Sequence, residues 1–191
     1  MDRADRLGMP VQKHVRDGRL LIRQIDLAGV SPGEFTHLIV EGTKQEGTDF
    51  VVIDSLNGYI KAMPNERFLD LRVQELLSYL AQRGATTLLT LAQPAEFAST
   101  SRNQPEVSYL ADSLLVLRFF EAHGEVRKAI SVLKKRSGGH ELTIREFQVT
   151  NAGVWVGEPL HDFQGVLTGV PNYLGQHKPL FAAEEPRAGE S

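Results

Sequence analysis

The sequence predicts an α/β protein in which a mostly parallel sheet flanked by helices is followed by an antiparallel β-hairpin extension. Two observations lead to this prediction. Up to about residue 92, short apolar runs alternate with helical patterns, which is typical of parallel strands connected by helices. From Leu114 onward, strand-like runs come in pairs separated by short turn sequences, which is typical of antiparallel hairpins. With 191 residues, 41% of them hydrophobic, the chain is long enough for one soluble domain with its own core.

Two helices are predicted in the first half. Ser31 can cap a helix, and Glu34, three residues later, completes a capping box with it. This helix should end near Gly42 to Gly47. The second helix runs from about 66 to 83 and carries leucines and a valine at helical spacing. Gly84 follows it, where a left-handed residue commonly ends a helix.

Three short apolar strands are predicted around these helices. They cover Leu20 to Ile25, Phe50 to Asp54 and Thr86 to Ala92. The second lacks polar alternation, so we expect it to be buried on both faces, as strands of parallel sheets are. Pro94 cannot donate a ladder hydrogen bond and should stop the third strand.

Two hairpins are expected after the parallel half, in the same sheet. The first joins 114–120 to 128–134 through His123-Gly124, and the second joins 142–149 to 154–156. We therefore expect one domain over residues 1–174. Residues 175–191 offer little apolar surface to bury and are expected to form a flexible tail.

The composition excludes several kinds of site. The chain has no cysteine, which excludes disulfides, thiolate catalysis and cysteine-bound zinc. Its six histidines lack metal-ligand spacing, and a net charge of −3 gives no overall attraction to nucleic acid or anionic membranes. The charged N-terminus lacks the apolar core of a signal peptide, and no apolar run approaches the ~20 residues that span a bilayer. The expected location is the cytoplasm.

Polar side chains follow two of the predicted strands at their carboxyl ends, where ligands bind in open parallel sheets. Asp54 and Ser55 follow one strand, and Gln93 follows another. Asp54 could hold Mg²⁺ through water, while Gln93 could orient an attacking water or sense a γ-phosphate. The structural alternative is that each polar residue merely opens a loop.

A second candidate lies at the end of a predicted strand, in the run Lys134-Lys135-Arg136-Ser137-Gly138-Gly139-His140. Guanidinium and ammonium groups next to a glycine turn can reach phosphate oxygens. The structural alternative is a solvated hairpin end. A nucleic-acid patch is less favoured because no aromatic residues are interleaved with the cations.

Five segments together resemble the KaiC branch of the RecA-like ATPases over about residues 3 to 175. They are, in chain order, VVIDSLNGYIKAMP (51–64), SYLADSLLVLR (108–118), AISVLKKR (129–136), TIREF (143–147) and GEPLHDFQGVLTGV (157–170). The match looks closest to the C-terminal domain of two-domain members. The resemblance implies ATP binding and hydrolysis, with autokinase activity in some members. It also implies Mg²⁺ and a ring, usually of six subunits, with ATP between neighbours.

The resemblance also implies roles for individual residues. Asp54 corresponds to the Walker B aspartate and metal ligand, and Gln93 to a γ-phosphate-sensing position. Lys134 and Arg136 would reach a neighbouring subunit's triphosphate, with Ser137 to His140 nearby. Some members have a methionine between the two cations, where this chain has Lys135.

The phosphate-binding motif G-x-x-x-x-G-K-[ST] does not occur in the 191 residues, nor does the family's catalytic acidic pair. The fold is accordingly expected to be incomplete at its N-terminus, with exposed sheet edge or core surface that invites another chain. We expect little or no ATPase activity from this chain alone. The alternative is a non-catalytic interaction module that joins or regulates rings of intact KaiC-like ATPases. The expected partners are other copies of this chain, in a homo-oligomer, or the subunits of a ring of an intact KaiC-like protein. DNA binding, as in recombinase relatives, is disfavoured by the acidic net charge.

Overall fold

The structure is a computed structural model that describes residues 2–26, 29–44, 47–62, 68–92, 109–168 and 171–175. Gln93, Pro94 and the expected tail beyond residue 175 lie outside these ranges. The helices are α1 (Asp2–Arg6), α2 (Val11–Arg16), α3 (Pro32–Gly42), α4 (Leu56–Ala62), α5 (Leu69–Gln82) and a 3₁₀ helix (Val166–Thr168). The strands are β1 (Phe50–Ile53), β2 (Thr86–Leu89), β3 (Ser113–Ala122), β4 (Glu125–Lys135), β5 (Arg145–Thr150), β6 (Gly153–Pro159), β7 (Phe163–Gln164) and β8 (Asn172–Tyr173). None of the helices within these ranges is long and apolar enough to cross a membrane.

The first half follows the predicted alternation of strand and helix. β1 pairs with β2 in parallel, with Val51 opposite Thr87. The buried residues of α3, α4 and α5 form one core with Ala85; they are Phe35, Leu56, Tyr59, Val73, Leu76 and Leu80. Gly84 has a φ of 79°, as expected of the residue that ends α5. The predicted parallel half is therefore confirmed in its order and in its helical core.

Two strand predictions for this half are wrong. Phe50 and Val52 in β1 are 56% and 55% exposed, because the described helices cover only one face of the β1–β2 pair. The segment from Leu20 to Ile25 forms no strand, since no described strand pairs with it. An apolar run becomes a strand only where a neighbour accepts its backbone hydrogen bonds.

The short helix α4 has no counterpart among the predicted elements. It contains only seven residues, and Gly58 near its centre weakens the helical pattern by about 1 kcal/mol. Tertiary packing stabilises it instead. Leu56 and Tyr59 are each 2% exposed, and the Tyr59 ring lies 4.5 Å from the ring of Phe35.

The second half is a four-stranded antiparallel sheet in the order β3-β4-β5-β6. β3 and β4 meet at His123 and Gly124, whose φ angles of 54° and 75° fit the type I′ turn of the predicted hairpin. The expectation of one continuous sheet is wrong for the described residues, since β1–β2 and β3–β6 share no ladder. Residues 93–108, which connect the two parts, lie outside the described ranges.

The capping box of α3 predicts a pH dependence of stability. The Ser31 amide and hydroxyl both donate to the Glu34 carboxylate at 2.8 Å, and Ser31 Oγ accepts from the Glu34 amide at 3.3 Å. The Ser31 amide, and then its hydroxyl, hold the pKa of Glu34 below its ordinary value. A lowered folded-state pKa stabilises the fold above the unfolded-state pKa, and this stabilisation is lost as the pH falls through the folded-state value. We expect Glu34→Gln to reduce the acid-side slope of the melting temperature between pH 6 and pH 3, measured by circular dichroism. An unchanged slope would contradict this role of the capping box.

Candidate functional site

Asp54 lies at the carboxyl edge of the two parallel strands and contacts the end of β2. The Thr90 hydroxyl donates to Asp54 Oδ1 at 2.5 Å. Two backbone bonds continue the connection, from the Thr90 amide to the Ile53 carbonyl at 3.1 Å and from the Leu56 amide to the Thr90 carbonyl at 3.0 Å. Asp54 is exposed, while Ser55 and Thr90 are half-buried. The arrangement holds one solvent-facing carboxylate beside two hydroxyl groups.

Asn57 holds the chain beyond β2, a role that the sequence analysis did not identify. Its side-chain amide donates to the Ala92 carbonyl at 2.8 Å, and its Oδ1 accepts from the Ala92 amide at 2.6 Å. The Asn57 side chain thus takes the place of a neighbouring strand's backbone at Ala92, beyond the end of β1. The available sequence signal was weak, namely one amide residue three positions after the Asp54 carboxylate. Asn57 fixes the residue directly before Gln93, which itself lies outside the described ranges.

The residues around Asp54 suit a magnesium ion better than a metal held by protein groups alone. No cluster of three or more His, Cys, Asp or Glu residues is found in the part of the chain that the structure describes. Mg²⁺ does not need such a cluster, since it keeps several waters and commonly binds one or two carboxylates together with substrate phosphates. A single exposed carboxylate such as Asp54 fits that pattern.

The predicted cationic run begins at the carboxyl end of β4. Lys134 lies opposite Leu114 of β3 and is half-buried. The exposed Lys135 ammonium donates to the Gly139 carbonyl at 3.3 Å, closing the turn that contains Gly138 with a φ of 75°. Ser137 is exposed, and His140 is half-buried. The hairpin end thus presents several polar groups on a short, closed turn.

Arg136 is held by residues that precede β3. Its guanidinium forms an ion pair with Asp112 at 2.7 Å and donates to the Tyr109 carbonyl at 3.3 Å. The Arg136 amide also donates to the Asp112 carbonyl at 2.7 Å. Both side chains of the ion pair remain largely exposed, at 61% for Arg136 and 76% for Asp112. The fold therefore orients the guanidinium through both terminal nitrogens, while the side chain as a whole remains largely exposed.

Glu141 adds a negative charge next to His140. A hydrogen bond from the Thr143 hydroxyl, followed by the charge of Arg145 at 3.5 Å, keeps the pKa of the Glu141 carboxyl below its ordinary value. This carboxylate partly balances the nearby cations.

Among the residues that the structure describes, no hydrogen bond or ion pair joins Asp54 to Arg136. Asp54 bonds to Thr90, whereas Arg136 bonds to Asp112 and Tyr109. A site that used both Asp54 and Arg136 on one nucleotide would therefore need further groups, from a second subunit or from elsewhere.

Comparison with known proteins gives a consistent result. A protein-family profile described as "ATPase: KaiC" matches residues 2–161. The circadian clock protein KaiC3 of Synechocystis sp. is 32% identical over 126 residues, which cover 66% of this chain and 25% of that protein. The circadian clock oscillator protein KaiC of Thermostichus vulcanus is 30% identical over 160 residues, which cover 82% of this chain and 30% of that protein. The chain thus spans a quarter to a third of the length of these relatives.

A solved structure shows the same fold. The crystal structure of a KaiC-like protein from the hyperthermophilic archaeon Pyrococcus horikoshii matches with a TM-score of 0.68 and 22% sequence identity. The match covers 82% of this chain and 68% of the archaeal one. This confirms the predicted RecA-like α/β class. Since the family profile covers most of the sequence, the chain belongs to the KaiC family of ATPases.

Proposed function

We propose that this chain supplies two separate parts of a KaiC-type ATP site and does not hydrolyse ATP when the 191 residues act alone. Asp54 would bind Mg²⁺ on the chain's own side of a subunit interface. Lys134 and Arg136 would reach the triphosphate held by a neighbouring subunit of a ring. Ser55 and Gln93 would line the first part, and Ser137 and His140 the second.

The observation that carries this proposal is the position of Asp54. A carboxylate at the carboxyl edge of parallel strands lies where ligands of open α/β sheets bind. The bond from the Thr90 hydroxyl fixes Asp54 Oδ1 and leaves the rest of an exposed carboxylate for water or metal. Asp54 would hold a Mg²⁺ ion at this edge, and the ion would supply positive charge beside the phosphates.

The cationic part is supported by the accessibility of Arg136. Ion pairs between exposed side chains contribute only about 0 to 1 kcal/mol to stability. The Arg136 guanidinium can therefore leave Asp112 and bind a more highly charged group. A triphosphate offers such a partner, and a guanidinium binds two of its oxygens at once. The hydrogen bond from the Arg136 backbone amide to the Asp112 carbonyl would keep the backbone in place during that exchange.

Inactivity of the 191 residues alone follows from what they do not contain. Without the amides and lysine of a G-x-x-x-x-G-K-[ST] loop, the β- and γ-phosphates lose most of their donors. Without a catalytic carboxylate, no group is assigned to activate the attacking water. An arginine supplied in trans accelerates hydrolysis only where the remaining site is assembled.

Calorimetric titration of the purified chain with Mg-ATP tests this proposal. We expect no micromolar binding and no turnover, with the mass in solution recorded in parallel. Asp54→Asn serves as the matched variant, since it keeps the shape of the side chain and removes the charge. Micromolar binding that is lost in Asp54→Asn would show that the 191 residues assemble a phosphate site. It would contradict the proposal that they are inactive alone.

A second candidate function is a non-catalytic interaction module in rings of intact KaiC-like proteins. It is favoured by the apolar side chains that remain exposed on β1, β2 and the antiparallel sheet, since surfaces of this kind mark interaction sites. The two functions differ in the effect of Lys134→Ala on an intact partner. If the chain is only an interaction module, its Lys134→Ala variant should still co-purify with the partner. The partner's turnover should then be the same with the variant as with the unmodified chain.

A further inference from the structure

The last strand of the antiparallel sheet, β6, has a free outer edge. It is a terminal strand in the order β3-β4-β5-β6, so no strand pairs with its outer side among the described residues. Val154, Trp155 and Val156 at its centre are 57%, 65% and 53% exposed. Their register with β5 places the two valines on one face of the sheet and Trp155 on the other. The strand is therefore apolar and exposed on both faces.

This edge lacks the features that usually keep an edge strand from pairing with another chain. Such features are charged side chains, prolines and bulges on the strand. From Gly153 to Gly157, β6 carries no charge and no proline. Its ladder with β5 is regular from Gly153 to Val156, and the register shifts only before Pro159. The segment from Gly153 to Gly157 is thus open to pairing, while Glu158 and Pro159 limit its length.

The sequence of this segment is symmetric. Gly153-Val154-Trp155-Val156-Gly157 reads the same in both directions about Trp155. In an antiparallel pairing of two copies centred on Trp155, glycine lies opposite glycine, valine opposite valine and tryptophan opposite tryptophan. A two-fold contact uses the same patch on both subunits and therefore requires self-complementarity of this kind. A partner of different sequence would not require it, so the symmetry selects a second copy of the chain as the occupant.

We propose that two copies of the chain pair through the outer edges of β6, antiparallel and centred on Trp155. Every second residue of β6 directs its backbone N–H and C=O away from β5, and these groups would bond to the same groups of the other copy. The valines of both copies would pack together on one face, and the two indole rings would lie side by side on the other. This two-fold contact differs from the head-to-tail contacts that close a ring, so it goes beyond the proposed nucleotide site.

The charges near the segment are compatible with this pairing. Glu158 is the first charged residue after it and would lie opposite Ala152 of the other copy. The two Glu158 residues would then be about 20 Å apart along the strands, at about 3.3 Å per residue. Salt screens their repulsion, since the Debye length is only about 8 Å at physiological ionic strength. Because the paired segment is short, the interface is small, and we expect micromolar affinity.

Cross-linking at the two-fold axis tests the pairing. The chain has no cysteine, so Trp155→Cys introduces its only thiol. Residues directly opposite each other in an antiparallel pair have Cα atoms about 4.5 to 5.5 Å apart, which suits a disulfide. We expect mild oxidation of this variant to give a covalent dimer. Gln148→Cys is the matched control, because Gln148 is exposed on the same face but lies in β5, opposite Trp155. Its two thiols would be separated by three strand spacings, roughly 14 Å, and should not cross-link.

The unmodified chain gives a second readout, since Trp155 is its only tryptophan. Between about 1 and 200 µM, tryptophan emission should shift to shorter wavelength as the mass in sedimentation rises from monomer to dimer. Trp155→Lys should weaken dimerisation at least about tenfold, because it places like charges opposite each other. Val126→Lys should change it less than about twofold. Val126 is 74% exposed, but it lies on β4 and not on the β6 edge.

Several outcomes would overturn the proposal. One is a chain that stays monomeric over this concentration range, and another is equal cross-linking of the Trp155→Cys and Gln148→Cys variants. A dimer that Val126→Lys dissociates and Trp155→Lys does not would place the contact on another surface of the sheet. If Trp155→Lys does not fold, the cross-linking pair and the emission of the unmodified chain still decide between pairing at β6 and its absence.

Discussion

Replacing Arg136 by alanine is expected to abolish any acceleration that this chain gives to ATP hydrolysis by an intact KaiC-like partner. An arginine supplied in trans to an assembled phosphoryl-transfer site contributes about 10³ to 10⁵ in rate. Arg136 is suited to this role because Asp112 and the Tyr109 carbonyl orient its guanidinium, while the side chain remains 61% exposed. Turnover of the partner at saturating ATP, with and without the chain, measures the effect.

The control for this experiment is Arg72→Ala. Arg72 is also an exposed arginine in an ion pair, with Glu75 at 3.2 Å, but it lies on α5 and not on the hairpin end. We expect it to leave the acceleration unchanged. Arg136→Lys should recover only part of the rate, because an ammonium cannot bind two phosphate oxygens as a planar guanidinium does. Equal acceleration by the unmodified chain and by Arg136→Ala would show that Arg136 does not act on the partner's nucleotide.

The sequence predicts well those elements whose stabilising contacts are local. The capping box of Ser31 and Glu34, the left-handed Gly84 and the His123-Gly124 hairpin all depend on residues within a few positions, and all are present. What the sequence alone misjudged depends on distant partners. Leu20 to Ile25 is apolar enough for a strand, yet no described strand pairs with it, and β1 is buried on only one face.

The residues of the candidate site also fall into those that the sequence indicates and those that depend on distant contacts. Asp54 could be selected from the sequence because it directly follows an apolar strand. The long-range contacts around it could not, since Thr90 bonds to Asp54 across 36 positions and Asn57 bonds to Ala92 across 35. Asp112 was overlooked for the same reason: its partner Arg136 is distant in sequence, and an aspartate before a strand has no special pattern of its own. These contacts form where the ends of two strands lie side by side. Only the three-dimensional structure shows which strand ends do so.

Leu80→Ala is expected to destabilise the parallel half by about 2 to 5 kcal/mol. Leu80 is 0% exposed and lies in the core shared by α3, α4 and α5, so truncation would leave a cavity that the neighbouring helices fill only in part. Its carbonyl also accepts from the Ala85 amide at 3.0 Å, at the turn that leads from α5 into β2. For a chain of this length, about 1 kcal/mol shifts the melting temperature by roughly 2 to 4 °C.

The matched control is Leu71→Ala, on the same helix. Leu71 is 48% exposed, so its truncation removes little buried surface, and the free energy of unfolding should change by no more than about 0.5 kcal/mol. Urea unfolding followed by circular dichroism measures both variants. Because α5 supports β2, and the end of β2 holds Asp54 through Thr90, Leu80→Ala should also weaken the docking of any nucleotide that uses Asp54. Equal, small effects of the two substitutions would mean that Leu80 does not anchor the core that positions this edge of the sheet.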